Sequence, residues 1–275
     1  MIDLVKLILL TTLFVLLFAL NPVCTYADSL PTLYIIGDST VHNPVKGLEG
    51  WGDAIKPQFD PTKITVENDA IGGRSSRTFY TEGHWATVLA KLKPGDFVFM
   101  QFGHNDGGPI VGGTDRASIK GIGDETQVVL DPKTNQNVTV HSYGWYLKTY
   151  ALDSKSKGAT PIIFSPIPRD IWSTDGKKVD RNGNDYGGWS KQIAEAEKIP
   201  FVDLNAITAD KYDLLGFDKV KAAYFPGDHT HTSPAGAVVN AESVIEGLKS
   251  LPNDPFAPYL VPGAPNTPAT SPAAS

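Results

Sequence analysis

The sequence predicts an α/β domain, a three-layer αβα sandwich around a five-stranded parallel sheet. Two patterns carry that prediction. Five short apolar runs of strand length recur along the chain, and amphipathic stretches with helical spacing separate most of them.

The runs are Leu33-Tyr34-Ile35-Ile36, Ile64-Thr65-Val66, Phe97-Val98-Phe99-Met100, Pro161-Ile162-Ile163-Phe164 and Phe201-Val202. They are β-branched or aromatic, as strands buried on both faces are. Between them, Trp85, Val88, Leu89 and Leu92 repeat at helical spacing. So do Tyr143, Leu147, Tyr150, Ala151 and Ser154, and so do Trp189, Ile193 and Ala196. The last helix is marked most clearly: Ser233-Pro234 supplies an N-cap and an N1 proline, and Val238, Ala241, Ile245 and Leu248 follow. The stretch from Gly107 to His141 is too long and polar for a plain connection and is expected to make an excursion near the site.

The ends read differently. Lys6 is followed by fourteen residues, Leu7 to Leu20, apolar except for Thr11 and Thr12, then by Asn21-Pro22 and Thr25-Tyr26-Ala27. This is the pattern of a secretory signal over residues 1–27, which places the mature protein outside the cell or in the periplasm. A run of that length falls short of the roughly 20 residues that span a bilayer. Removal of the leader takes away Cys24, the chain's single cysteine, so internal disulfides and cysteine-rich zinc sites are excluded. Residues 252–275 hold seven Pro and five Ala with one charge, Asp254, and are expected to be an extended, mobile tail. One domain, residues 28–251, is left between them. The acidic balance of the full chain (24 Lys+Arg against 30 Asp+Glu) carries no footprint for nucleic acid, and a monomer is expected.

In open parallel sheets ligands bind beyond the carboxyl ends of the strands, and the chemically loaded segments fall there. The first strand runs into Gly37-Asp38-Ser39, where a serine at the sheet rim suits a nucleophile and equally suits a capping turn. After the second strand, Gly72-Gly73 can aim backbone amides at an oxyanion or can simply mark a loop. Asn105, after the third, can donate its side-chain amide or form an Asx-turn. Asp228-His229-Thr230-His231 lies directly before the capped last helix. Asp three residues before His can bond imidazole Nδ1 and leave Nε2 to accept a serine proton. Asp228, His229 and His231, joined by His104 and Asp106, also have the residue types of a metal site.

Taken together, Gly37-Asp38-Ser39-Thr40, Asn68-Asp69-Ala70 with Gly73-Arg74-Ser75, Phe102-Gly103-His104-Asn105-Asp106-Gly107-Gly108 and the string Asp228 to Gly236 resemble the SGNH (GDSL-type) esterase superfamily. Within it they look like rhamnogalacturonan acetylesterases. The resemblance covers nearly all of the predicted domain and implies a flavodoxin-like sheet and a serine esterase without a cofactor or metal. It implies Ser39 as nucleophile, His231 as general base and Asp228 as its orienting partner. The oxyanion hole would be the amides of Ser39 and Gly73 with the Asn105 side chain, Gly73 being chosen because it directly precedes Arg74. The implied substrate is an acetylated plant cell-wall polysaccharide, rhamnogalacturonan or pectin. Lipid or thioester acyl groups and acetylated xylan are the alternatives, with a metal-dependent deacetylase behind them.

A pectic substrate carries uronates, and a net charge of −6 gives no long-range steering toward it. Arg74, Arg77 and Arg169 are therefore the candidate local cations for binding it, although an arginine in such a loop also holds neighbouring backbone carbonyls, the favoured role for Arg74. Trp145, Trp172 and Trp189 are candidates for stacking on sugar rings.

Overall fold

The computed structural model describes residues 30–131, 134–181 and 185–264. The leader expected at residues 1–27 lies outside the described residues. Strands β1 (Thr32–Gly37), β2 (Thr65–Asn68), β3 (Phe97–Gln101), β6 (Thr160–Phe164) and β7 (Phe201–Val202) make one sheet, all pairs parallel, in the order β2-β1-β3-β6-β7. β4 (Thr126–Asp131) and β5 (Gln136–His141) pair antiparallel as a separate ribbon. The five expected strands are those of the main sheet.

Alternation along the central strands builds two cores. Leu33, Ile35, Phe97, Phe99, Ile162 and Phe164 point to one face, where α8 (Pro234–Lys249) covers them with Ala241, Val244, Ile245 and Leu248. Tyr34, Ile36, Val98, Met100 and Ile163 point to the other, against Phe79 of α2 (Ser76–Thr81), Trp85 of α3 (His84–Lys91) and Tyr143, Leu147 and Tyr150 of α4 (Tyr143–Ser156). Burial on both faces is why these strands read as continuous apolar runs rather than alternating ones. Edge strand β2 departs from that expectation, because it has a strand partner on one side only and is half-exposed. The α8 N-terminus forms as its sequence dictates: Ser233 accepts a hydrogen bond from Gly236 N at 3.2 Å, with Pro234 next in line. Val238 is 45% exposed, however, and does not belong to the buried stripe.

One expectation about the connections needs correction. The tail expected from Pro252 onward is part of the domain at least as far as Ala264. Phe256 is fully buried, with its ring 4.9 Å from Phe97 and 5.2 Å from Phe99. Leu260 bridges to Phe59, and Val261 N donates to Gln58 O at 3.0 Å. Proline content obscured three apolar anchors, Phe256, Tyr259 and Leu260, which bury against the sheet in spite of it. Residues 265–275 lie outside the described residues. The excursion of residues 107–141 carries the β4–β5 ribbon, which leaves Val128 and Leu130 exposed and turns Val129 and Val140 inward.

Candidate active site

Ser39 and Asn105 lie just beyond the carboxyl ends of β1 and β3, neighbouring strands at the centre of the sheet. Strand connections diverge there, β2 lying to one side of this pair and β6 to the other, so a crevice opens at this point. The turn after β1 is tight. A Cβ on Gly37 would stand 2.5 Å from Val41 Cγ2 and 2.7 Å from Gln101 O, so only glycine fits between strand and turn. Asp38 O then accepts from Val41 N and His42 N, and Asp38 Oδ1 from Thr40 N at 2.9 Å and Thr40 Oγ1 at 2.7 Å. Gln101 Nε2 holds Thr40 Oγ1 at 2.6 Å, and Trp51 Nε1 holds Gln101 Oε1 at 2.8 Å. The nucleophile candidate thus stands on a turn fixed from beneath by buried hydrogen bonds.

His231 reaches Ser39 from the loop ahead of α8. Its Nε2 is 2.8 Å from Ser39 Oγ, and its Nδ1 is 2.7 Å from Asp228 Oδ2. A carboxylate only accepts, so Nδ1 carries the proton and Nε2 presents its lone pair to the hydroxyl. Asp228 Oδ1 accepts from Thr230 N at 2.6 Å and His231 N at 2.8 Å, which makes the carboxylate the organiser of its own loop. Partial burial opposes its charge, but the bonds from His231 and Thr230 outweigh that and hold the carboxyl at about 2.

The glycine loop sits against the nucleophile, where a Cβ built on Gly72 would be 3.7 Å from Ser39 Cβ. Gly73 has φ +78°, a conformation that glycine adopts without strain. Its amide and that of Ser39 donate to no acceptor among the described residues. Asn105 spends one amide hydrogen on Arg74 O at 3.0 Å and keeps the other. Through Arg74 O, Asn105 is tied to the glycine loop that abuts Ser39.

The three arginines all donate to the protein itself, and Arg74 takes the backbone-carbonyl role its loop position favours. Arg77 is buried, not a surface cation for substrate: its Nη1 donates to Ile110 O at 3.1 Å and Ala117 O at 3.0 Å, pinning the excursion, and burial pushes its guanidinium down. Arg169 spends Nη1 on Thr230 Oγ1 and Nη2 on His104 O at 3.1 Å, tying the β3 end to the Asp228 loop. Arg74 pairs with Glu82 at 2.8 Å, and its Nη1 donates to Gly72 O at 3.2 Å. That carbonyl shares a peptide plane with Gly73 N–H. Arg74 therefore orients the Gly72–Gly73 peptide with its side chain and anchors Asn105 with its own carbonyl.

Two supports escaped sequence reasoning. Arg116, from the excursion, donates Nη1 to Gly73 O at 3.0 Å and accepts at its carbonyl from Ser75 Oγ at 2.6 Å. No local pattern marks it, since its partner lies 43 residues away in sequence. Asp106 is fully buried and accepts from Ser76 N at 3.1 Å and Ser118 Oγ at 3.0 Å. Burial pushes its carboxyl up to about 6 against those bonds. Its place in the string beside Asn105 was the available signal.

The tryptophans pack rather than project. Trp145 stacks on His141 with centroids 3.7 Å apart, Trp189 packs on Tyr143 and Tyr186, and Trp172 donates to Asp170 Oδ1 at 2.7 Å. A cleft of about 180 Å³ opens beside the site, lined by His104, Ile167, Arg169, Tyr186 and Asn205 among others. Among the described residues no three His, Cys, Asp or Glu side chains gather as metal ligands, and His229 is exposed. No helix of the described residues is long and apolar enough to cross a membrane.

The sequence matches the GDSL-like lipase/acylhydrolase family model over residues 35–239. It is 33% identical over 217 residues to a rhamnogalacturonan acetylesterase of Emericella nidulans, covering 79% of this chain and 84% of that protein. A probable rhamnogalacturonan acetylesterase of Bacillus subtilis is 30% identical over 225 residues, with 80% and 93% covered. Among solved structures, the Bacillus subtilis protein YxiM superposes with a TM-score of 0.65 at 25% identity. The match spans 80% of this chain and 56% of that one. An acetylxylan esterase of Geobacillus stearothermophilus shares the fold, with a TM-score of 0.53 at 22% identity over 79% of this chain and 93% of that one.

Proposed function

Because this chain belongs to the GDSL-like lipase/acylhydrolase family and is a carboxylic ester hydrolase, we propose that it removes O-acetyl groups from a plant cell-wall polysaccharide, rhamnogalacturonan foremost, through an acyl-enzyme on Ser39. The observation that carries the mechanism is the continuous relay of Ser39 Oγ, His231 and Asp228 at 2.8 and 2.7 Å. A serine hydroxyl is a poor nucleophile until a base accepts its proton. His231 Nε2 takes that proton as Oγ attacks the acetyl carbonyl. Negative charge then develops on the carbonyl oxygen, where the amides of Ser39 and Gly73 and the second amide hydrogen of Asn105 stabilise it. His231 returns the proton to the departing sugar hydroxyl and then activates the water that releases acetate.

The polymer is named by relatives that carry it in their names. A second reading, acetylated xylan, is favoured by the arginines: each of the three expected to meet a uronate donates to the protein itself. Acetate release from acetylated rhamnogalacturonan, homogalacturonan and xylan separates the two, with Ser39→Ala as control. Preference for rhamnogalacturonan supports the first reading, and preference for xylan replaces it. Export by the residue 1–27 leader belongs to the same proposal. It is tested by looking for the processed protein, beginning near Asp28, in the culture medium or periplasm of the producing cell.

A further inference from the structure

Beneath the site lies a second aspartate–histidine contact that the acyl-enzyme mechanism does not use. Asp38 immediately precedes Ser39, and His104 immediately precedes Asn105. Asp38 is completely buried and the His104 side chain is 4% exposed. Both hydrogen bonds from Thr40 go to Asp38 Oδ1. Oδ2 has no hydrogen-bond partner, and the group it faces is His104 Nδ1 at 3.4 Å, itself otherwise unpartnered.

The other ring nitrogen fixes the proton count. His104 Nε2 stands 3.0 Å from Ile167 O, a carbonyl that only accepts, so Nε2 carries a hydrogen. A ring with its single proton on Nε2 would turn a bare lone pair at Nδ1 toward a carboxylate oxygen. Two acceptors in contact, out of water's reach, have nothing to satisfy either of them. One further proton between Nδ1 and Oδ2 removes the conflict. We propose that Asp38 and His104 hold one buried proton between them, and that this bridge positions the two strand ends that carry the oxyanion donors.

The surroundings favour keeping it. Asp106, fully buried, lies within electrostatic reach from the end of β3, and so does the buried Tyr143 phenol from α4. Arg169, following β6, brings one guanidinium to the His104 carbonyl. With the bridging proton, Asp38 and His104 together are neutral. Without it, the buried Asp38 carboxylate is left uncompensated within electrostatic reach of Asp106. Asp38 and His104 are positioning residues: neither touches the ester, and each acts through its neighbour, Ser39 or Asn105. That role rests on the oxyanion assignment proposed above, whereas the protonation of the pair does not.

Two readouts test them separately. In protein labelled with ¹⁵N-histidine, both His104 nitrogens should carry or share a proton at neutral pH. In Asp38→Asn, whose amide supplies the hydrogen itself, only Nε2 should be protonated. A wild-type Nδ1 with no proton on it or shared by it overturns the bridge. With p-nitrophenyl acetate, Asp38→Ala should lower kcat on the order of 10²-fold with KM changed by less than about threefold, because a displaced donor is lost to the transition state more than to substrate. Asp38→Asn should recover about tenfold of that loss. It keeps the shape, so it tests the role even if the alanine variant misfolds. Wild-type kcat in Asp38→Ala, or no recovery in a folded Asp38→Asn, overturns the positioning role while Ser39→Ala is inactive. An active Ser39→Ala overturns the acyl-enzyme reading instead.

Discussion

The rim that carries Ser39 and Asn105 and the loop that carries His231 meet at one hydrogen bond, yet they are built by opposite means. The rim is buried and long-range. Asp38, Ser75, Ser76, Gln101 and Asp106 are fully buried, and the bonds of Ser76 N to Asp106 and of Gln101 Nε2 to Thr40 Oγ1 link segments 30 and 61 residues apart. The loop is exposed and local. Asp228 and His231 side chains are 45% and 29% exposed, and the carboxylate bonds the backbone and ring three residues ahead of it. Donors that must meet a transient oxyanion gain from being held rigidly. A base that must accept a proton and later return it to a leaving group needs only the right tautomer and access to solvent.

Variants that break this contrast should lose activity in graded steps. Ser39→Ala or His231→Ala should cost on the order of 10⁴-fold or more in kcat, read by acetate release, because nucleophile and base act as one unit. Asp228→Asn should follow at roughly 10³–10⁴-fold, the ring being left free to adopt the wrong tautomer. Asn105→Ala should cost about 10²–10³-fold in kcat, and wild-type kcat there would remove it from the oxyanion hole. Arg74→Ala should be mildest, up to roughly tenfold in kcat, since it frees the Gly72–Gly73 peptide without deleting a donor. A loss confined to KM would make Arg74 a substrate contact instead.

Acid sharpens the same contrast, with opposite signs in the two regions. Asp228 sits at about 2, below the ordinary carboxyl value. Its contribution to stability is present above about pH 4 and is lost as pH falls toward 2. Asp106 sits at about 6, above the ordinary value. Its ionisation costs stability above about pH 6, and that cost disappears as pH falls below about 4. Thermal melts of wild type and Asp228→Asn should therefore differ most above pH 4 and converge toward pH 2. A gap that persists unchanged at pH 2 would contradict the assignment. Any acid loss of activity at milder pH must come from a group other than Asp228.

What was legible in the sequence follows this division. The loop could be read because its contacts are within three residues, so Asp228-x-x-His231 encodes its own geometry. The central strands could be read because burial on both faces leaves uninterrupted apolar runs. The rim's supports could not. Arg77 on α2 and Arg116 in the excursion are ordinary arginines until the excursion folds back and gives each a partner 33 to 43 residues away. Phe256 and Leu260 were hidden by a proline-rich composition, although proline forbids neither a turn nor the burial of its neighbours. Arg74 is open to both a uronate and a backbone carbonyl on charge alone, and its place in a glycine loop is what points to the carbonyl it holds.

The central claim is a covalent acetyl-enzyme on Ser39. Rapid-quench mass spectrometry during turnover of p-nitrophenyl acetate tests it most directly, with peptide mapping of the adduct. One acetyl group per chain is expected, on Ser39, formed in a burst and decaying at the rate of acetate release, and absent from Ser39→Ala. Steady turnover with no adduct on Ser39, or undiminished turnover by Ser39→Ala, would contradict it.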